Sequence, residues 1–272
     1  MFCAVDLAAR IEGAEAEFMA ACVDAIRHRG ADGFVRPIAG GMATYAGAGS
    51  PFNKVAGLGF GAAPTDDDLD AVEAAYASVG APVKAEISAL GDPGLATRLT
   101  GRGYRLLSFE NVLGRPLDHD VEHREANGVV VSRAEERLRD WLDVVIDAVA
   151  CPDTTGVAQH EEFEREDLEE AETAMAAAGA RLYLATRDGV VAGGAGFRPA
   201  RGLAQMTGAA TAPAHRRRGV QSALLSVRLR DAVSAGCDVA VVTTQPGSPS
   251  HANTQRLGFD LLYTRAVLVK EG

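Results

Sequence analysis

The stretch AHRRRGVQSALL, residues 214–225, sets three arginines against a glycine and then runs into apolar residues at helical spacing. A strand-like run, AQMTGAATA, precedes it and is ended by Pro213, so the turn sits where a strand hands over to a helix predicted over 218–235. A helix N-terminus offers unpaired backbone N–H groups and about half a positive charge, a combination that binds phosphate. Gly219 permits close approach of the backbone, and Arg216, Arg217 and Arg218 add charge. The predicted chemistry is the holding of a pyrophosphate. Neither the Lys-Ser/Thr ending of a nucleotide P-loop nor the Gly-x-Gly-x-x-Gly of a dinucleotide fold is present.

That basic turn belongs to an acidic chain, with a formal charge of −10 over 272 residues. An acidic surface disfavours nucleic acid and admits cationic small molecules, and no second basic cluster or aromatic platform points to nucleic acid. An apolar content of 47% supports real cores, and the length suggests two units at roughly 100–200 residues each. No run approaches the roughly 18–20 apolar residues of a membrane span. The first residues carry Asp6 and Glu12 where a signal peptide would be basic and then apolar, so a cytoplasmic protein is expected. Cys3, Cys22, Cys151 and Cys237 lack metal-ligand or disulfide spacing and are read as reduced thiols, with no metal implied.

Two segments repeat. GRGYRLLSFENVLGR (101–115) and RLGFDLLYTRAVLVK (256–270) share Gly-aromatic-x-Leu-Leu followed by an extended apolar run. Upstream of each lies a helical segment ending in glycine, at Gly80 and Gly236, and then a strand, APVKAEISAL or CDVAVVTTQ. Earlier in the first copy, residues 12–29 read as helix and 33–61 as glycine-broken strand. In the second copy, NGVVVSRA reads as strand and EERLRDWLDVVIDAVA as amphipathic helix, whereas EEFEREDLEEAETAMAAAG reads as a helix with a charged face. Asp188-Gly189 marks a hairpin. The polar run PLDHDVEHREANG (116–128) is the expected boundary. The chain therefore reads as a duplicated α/β unit.

The basic turn and its surroundings resemble the GNAT superfamily of N-acetyltransferases, whose acyl-CoA signature is Gln/Arg-x-x-Gly-x-Gly/Ala. Arg216, Gly219 and Gln221 occupy the motif positions, and Gln221 departs from the small residue expected there. The resemblance extends over residues 127–270 and implies that acetyl-CoA is the cofactor, held by Arg216, Arg217, Arg218, Gly219, Val220, Gln221 and Ser222 around the pyrophosphate. It also implies that the preceding strand splays from the next one, with Ala209, Ala210 and Thr211 offering backbone groups to the pantetheine arm. The N-terminal copy is similar to the degenerate half of tandem GNAT proteins such as the mycothiol synthases. Where a cradle should be it has Thr65 as an N-cap followed by Asp66, Asp67 and Asp68, whose charges would repel a pyrophosphate. The expected architecture is two tandem GNAT-like domains, residues 1–120 and 123–272, each a mixed, mostly antiparallel twisted sheet flanked by helices. The first half is expected to be structural, either shaping the acceptor cleft or simply stabilising the other half.

Acetyl transfer needs a neutral amine, a stabilised oxyanion and a proton for the leaving thiolate; an alkylamine of pKa about 10.4 is only about one part in a thousand neutral at pH 7. Many members of the superfamily use a glutamate near the central strand and a tyrosine in the last helix. This chain departs on both counts: LAQMTGAATA has no carboxylate, and Thr254 stands at the tyrosine position. Aligning Gly103 with Gly258 sets Tyr263 opposite Ser108 and Asn253 opposite Arg98. Tyr263, as proton donor, and Asn253, also near the thioester, are the catalytic candidates. Strand alternation places Phe259, Leu261 and Tyr263 on one face, so Tyr263 reaches the site only if that face looks toward the thioester. Ser248 reads as a cap. Asp153 and His160 are acceptor-contact candidates in the loop between the first two helices of the second copy. The expected activity is acyl transfer from CoA to a small amine by a monomer or homodimer. Decarboxylation of an acyl thioester and a CoA-binding sensor without turnover are the alternatives.

Overall fold

The computed structural model describes residues 1–118, 126–151 and 163–272. The first half runs α1 (Val5–His28), β1 (Phe34–Ile38), β2 (Gly41–Tyr45), β3 (Lys54–Ala56), α2 (Asp66–Ser78), β4 (Val83–Ser88), α3 (Pro93–Gly101) and β5 (Arg105–Pro116). The second runs β6 (Val129–Arg133), α4 (Leu138–Ala150), α5 (Arg165–Ala177), β7 (Arg181–Arg187), β8 (Val190–Ala200), β9 (Leu203–Thr211), α6 (Val220–Ser234), β10 (Val239–Thr244), α7 (Pro249–Arg256) and β11 (Asp260–Lys270). Local chemistry explains the matching ends of the two halves. Asp92 caps α3 ahead of Pro93, and Ser248 caps α7 ahead of Pro249. Each of these helices is followed by a glycine at positive φ, Gly103 at 93° or Gly258 at 86°, and then by a buried aromatic, Tyr104 or Phe259. Asp188 and Gly189, both at positive φ, turn β7 into β8 as their sequence predicts.

Among the described residues the strands form one sheet in the order β1-β2-β3-β4-β11-β5-β10-β9-β8-β7-β6. All pairs are antiparallel except β3·β4 and β9·β10. The sheet is thus mixed and mostly antiparallel, as expected, but it is continuous rather than two separate sheets. The halves also exchange their last strands. β11 lies between β4 and β5, and β5 lies between β11 and β10. Arg265 stands opposite Glu110 in this central pairing, and register shifts on either side leave Leu262 and Leu107 as the extra residues. Dividing the chain near residue 120 would strip each half of a strand's neighbours.

Of the five hydrophobic cores among the described residues, three show the topology most directly. One lies under the first half, around Leu58, Tyr76 and Leu99, and one under the second, around Phe197, Leu224 and Phe259. A third ties them together: Ala8, Ile11 and Ala14 of α1 pack on Val112, Leu203, Val239, Val241 and Tyr263, side chains from four strands of both halves. α1 begins at Val5, seven residues earlier than its predicted start at Glu12, because its first apolar turn is needed at this seam. No helix among the described residues is long and apolar enough to cross a membrane.

Candidate active site

β9 and β10 pair only over Leu203–Gln205 and Val239–Val241, and beyond Gln205 they part. The gap forms where the resemblance placed it. In β9 two residues, Gly208 and Ala209, stand against Ala195 of β8, between the pairs Gly196–Thr207 and Gly194–Ala210. This is a β-bulge, a device common beside active sites. Gly208 takes φ 57°, and a Cβ there would lie 3.0 Å from the Trp141 ring and 3.1 Å from Glu172 Oε2, so only glycine fits without displacement. Ala209, released from the ladder, borders the gap, whereas Ala210 and Thr211 remain paired to β8.

The basic turn follows. Arg217 and Gly219 both adopt left-handed backbone, φ 58° and 82°, so α6 starts at Val220 rather than at the predicted Arg218. Gly219 is its N-cap and, having no side chain, supplies no cap to the first amides. The degenerate copy is built oppositely: Thr65 Oγ1 accepts from the Asp68 amide at 3.1 Å, and Asp68 accepts in return from the Thr65 amide at 2.9 Å. One helix start is open and flanked by arginines; the other is closed by its own carboxylate. The turn's side chains divide the work. Arg216 donates to the carbonyls of Thr211, Ala148 and Cys151, pinning the turn to the end of α4. Arg217 and Arg218 are exposed at the mouth, and Ser222 is half-buried. Val220 is buried in the core of the second half, so only its backbone faces the turn. Gln221 borders the gap and accepts from Asn253 Nδ2 at 2.9 Å, which brings the two predicted residues together. These features fit a CoA pyrophosphate and pantetheine arm: an uncapped helix start, a glycine turn and a strand gap continuous with one another.

The gap opens into a cavity of about 430 Å³. One wall is the second half: Thr207, Gly208, Gln221, Val242 and Thr254. Facing it are α1 and the loop at Pro51 and Phe52 from the first half, together with α5 of the second. Residues of the first half thus line this cavity beside those of the second. A second, more polar cavity of about 300 Å³ shares Pro51, Lys54 and Leu168 with it. Ser248 caps α7 by accepting from the His251 amide at 3.1 Å. Asp153 and His160 lie outside the described residues.

Tyr263 is placed otherwise than its candidacy required. The register shift after Leu261 breaks the alternation: Phe259 is buried, Leu261 is exposed, and Tyr263 turns into the core at the seam. Its hydroxyl donates to Glu12 Oε1 at 2.8 Å, and burial pushes its pKa up, reinforced by Glu12. It belongs to a buried charge cluster instead. The wholly buried Arg265 guanidinium lies 2.6 Å from Glu12, 3.3 Å from Glu15, 3.4 Å from Glu86 and 3.5 Å from Glu110. Lys54 adds a contact to Glu86 at 2.5 Å. Burial opposes ionisation of Glu86, yet Lys54 and Arg265 together hold its carboxyl below the usual range.

Glu172 is the site residue that the sequence reading passed over. It projects from α5 into the cavity with Oε2 shielded from solvent and without a hydrogen-bond partner, and burial pushes its pKa up to about 8. Its signal was spacing. Leu168, Ala171 and Met175 form the apolar stripe of α5, and Glu172 interrupts it, but the surrounding acids made the whole face look solvated.

A family model described as the acetyltransferase (GNAT) family matches residues 144–259. Among solved structures, the chain is similar to a GCN5-related N-acetyltransferase from Kribbella flavida, with 20% identity over 94% of this chain and 95% of that one and a TM-score of 0.62. It is similar also to a GCN5-related N-acetyltransferase from Sphaerobacter thermophilus, at 17% identity over 96% and 93% with a TM-score of 0.56. A tandem GNAT protein from the clavulanic acid biosynthesis pathway shares 14% identity over 88% and 78%, with a TM-score of 0.61. No curated protein sequence matches. At these identities the structural likeness is one of fold. Residues 144–259 thus match the GNAT acetyltransferase family model, in a chain whose fold is that of solved GNAT N-acetyltransferases, a tandem one among them.

Proposed function

We propose that the chain transfers an acyl group, acetyl first, from CoA to the amine of a small molecule, using one CoA site in its second half. The observation that carries this reading is the continuity of the open α6 start, the β9–β10 gap and the cavity. The amides of Val220, Gln221 and Ser222, with Arg217 and Arg218, would hold the pyrophosphate. Ala209 and its neighbours on β9 would hold the pantetheine arm. When bound, the thioester supplies an activated acyl carbon. Asn253 hydrogen-bonds Gln221 at the gap, and backbone N–H groups freed from the ladder at the Gly208–Ala209 bulge would be the donors available to an oxyanion. Cys3, Cys22 and Cys237 are buried as free thiols and Cys151 is an exposed one, which supports a reducing, cytoplasmic setting.

The test is incubation with acetyl-CoA and a panel of amines, reading free thiol, beside mass spectrometry of ligand carried through purification. Thiol release that requires both acetyl-CoA and an amine is expected. Release from malonyl-CoA without an amine would replace the reading with decarboxylation, and CoA binding without any release would make the protein a sensor.

A further inference from the structure

We infer that Glu172 receives the acceptor's ammonium group and takes its proton, and that the acceptor is an amine carried on an apolar body. The inference rests on the acyl-transfer reading and adds the residue and the substrate class. Three observations carry it. Glu172 reaches the β9 bulge, since a Cβ on Gly208 would come within 3.1 Å of its Oε2. That oxygen is enclosed with no partner, an arrangement that costs stability unless a ligand completes it. Most of the cavity wall is apolar, with Phe18, Met19, Phe52, Leu168, Met175 and Met206 among its residues, and Gln205, Thr207, Thr243 and Thr254 add uncharged polar groups.

The neighbouring charges are otherwise engaged. Lys54 is held by Glu86. The buried Arg228 donates to the carbonyls of Gly196 and Leu224. Glu15 borders the same cavity but leans on Arg265. Arg198, stacked over Phe18, donates to Gln205, and the Cys22 thiol on α1 is kept neutral by burial, its pKa pushed up to about 12. A cation entering beside Glu172 would find, among the described residues, the one carboxylate in the cavity that has no cation of its own. The carboxylate accepts one proton from the ammonium and frees the nitrogen lone pair. The C–N bond forms as the C–S bond breaks, the thiolate keeps the electron pair, and the second nitrogen proton passes to the sulfur. One proton per turnover then leaves Glu172 for solvent. A base whose own pKa lies near 8 suits that cycle.

The experiment compares the wild type and Glu172→Gln with acetyl-CoA and three probes. These are 2-phenylethylamine, an ammonium on an apolar body; putrescine, a polar diamine; and aniline, already neutral at pH 7. The wild type should prefer 2-phenylethylamine to putrescine. The variant should lose roughly 10²-fold or more in kcat/KM with 2-phenylethylamine, much less with aniline, and none of its calorimetric affinity for acetyl-CoA. Infrared titration of the ligand-free protein should show one carboxylic acid losing its proton near pH 8, absent in the variant. Equal losses with both amines, full activity in the variant, or no such titration would overturn the role of Glu172. A preference for putrescine would overturn the apolar acceptor. A wild type that binds acetyl-CoA yet releases no thiol with any amine would remove the acyl-transfer reading, and this inference with it.

Discussion

Replacing Arg265 with Met should cost more stability than any exposed charge change in this protein. The guanidinium is wholly buried among Glu12, Glu15, Glu86 and Glu110 at 2.6 to 3.5 Å. Met would fill much of the volume and leave four acids with Lys54 as their cation. Removing one partner of a buried pair typically costs about 3–5 kcal/mol, because the remaining charge stays desolvated and unpaired. For a domain somewhat smaller than this chain, 1 kcal/mol moves Tm by about 2–4 °C, so a fall of about 6–20 °C is expected at pH 7.5. The pH dependence has a definite sign. Glu86 is held below its ordinary pKa, so its contribution is present above the usual carboxylate range and lost as pH falls through its folded value. That contribution needs the guanidinium. Without it the folded carboxyls take protons more readily, so the gap between wild type and variant should narrow from pH 8 toward pH 5. Fluorescence of Trp141, the single tryptophan and fully buried, reports unfolding by heat or urea. A gap below about 1 kcal/mol at pH 7.5, or one that widens in acid, would refute the reasoning.

Residues 123–272 expressed alone should be insoluble or unfolded, since β11 would lose both neighbours and β10 one; a soluble, monomeric and active fragment would show the strand exchange to be dispensable. Arg218→Glu should weaken acetyl-CoA binding about 10–100-fold by calorimetry, the range of a charged hydrogen bond, and the wild type should titrate to one site per chain. Tyr263→Phe should leave turnover within twofold and lower stability by about 1–3 kcal/mol through the lost bond to Glu12; a large fall in turnover at unchanged stability would restore Tyr263 as proton donor.

The duplicated plan was legible because its punctuation is local: Gly103 and Gly258, Pro93 and Pro249, and the capping run at Thr65 each act through their own backbone. The glycine turn that opens α6 was legible for the same reason. What could not be read was which strand lies beside which. The exchange of β5 and β11 depends on contacts between residues some 150 apart in sequence, and nothing within either strand's own pattern distinguishes pairing at home from pairing across. Tyr263 was misjudged for that reason, its direction being set by a register shift against the other half's strand. Glu12 and Glu172 were missed because a carboxylate on an apolar stripe is ordinarily a solvated residue at the stripe's edge. Only the packing across the seam shows that Glu12 is buried and that Glu172 has one oxygen shielded from solvent.

The central strand pair also says something about symmetry. When two copies of one strand meet antiparallel, a single residue faces its own twin, and here that place is held by Glu110 and Arg265, the two positions that correspond when Gly103 is matched to Gly258. The extra residues Leu107 and Leu262 correspond in the same way. In an assembly of identical chains, whatever charge stood on the axis would be set against itself. A single polypeptide carries no such restriction, and opposite charges can occupy the two places. The same freedom lets one helix start keep its arginines while the other seals itself with Asp68. Covalent joining thus permits a difference between halves that a pair of equal subunits could not encode: one helix start has no side-chain cap from its own N-cap residue, and the other is closed by its own carboxylate.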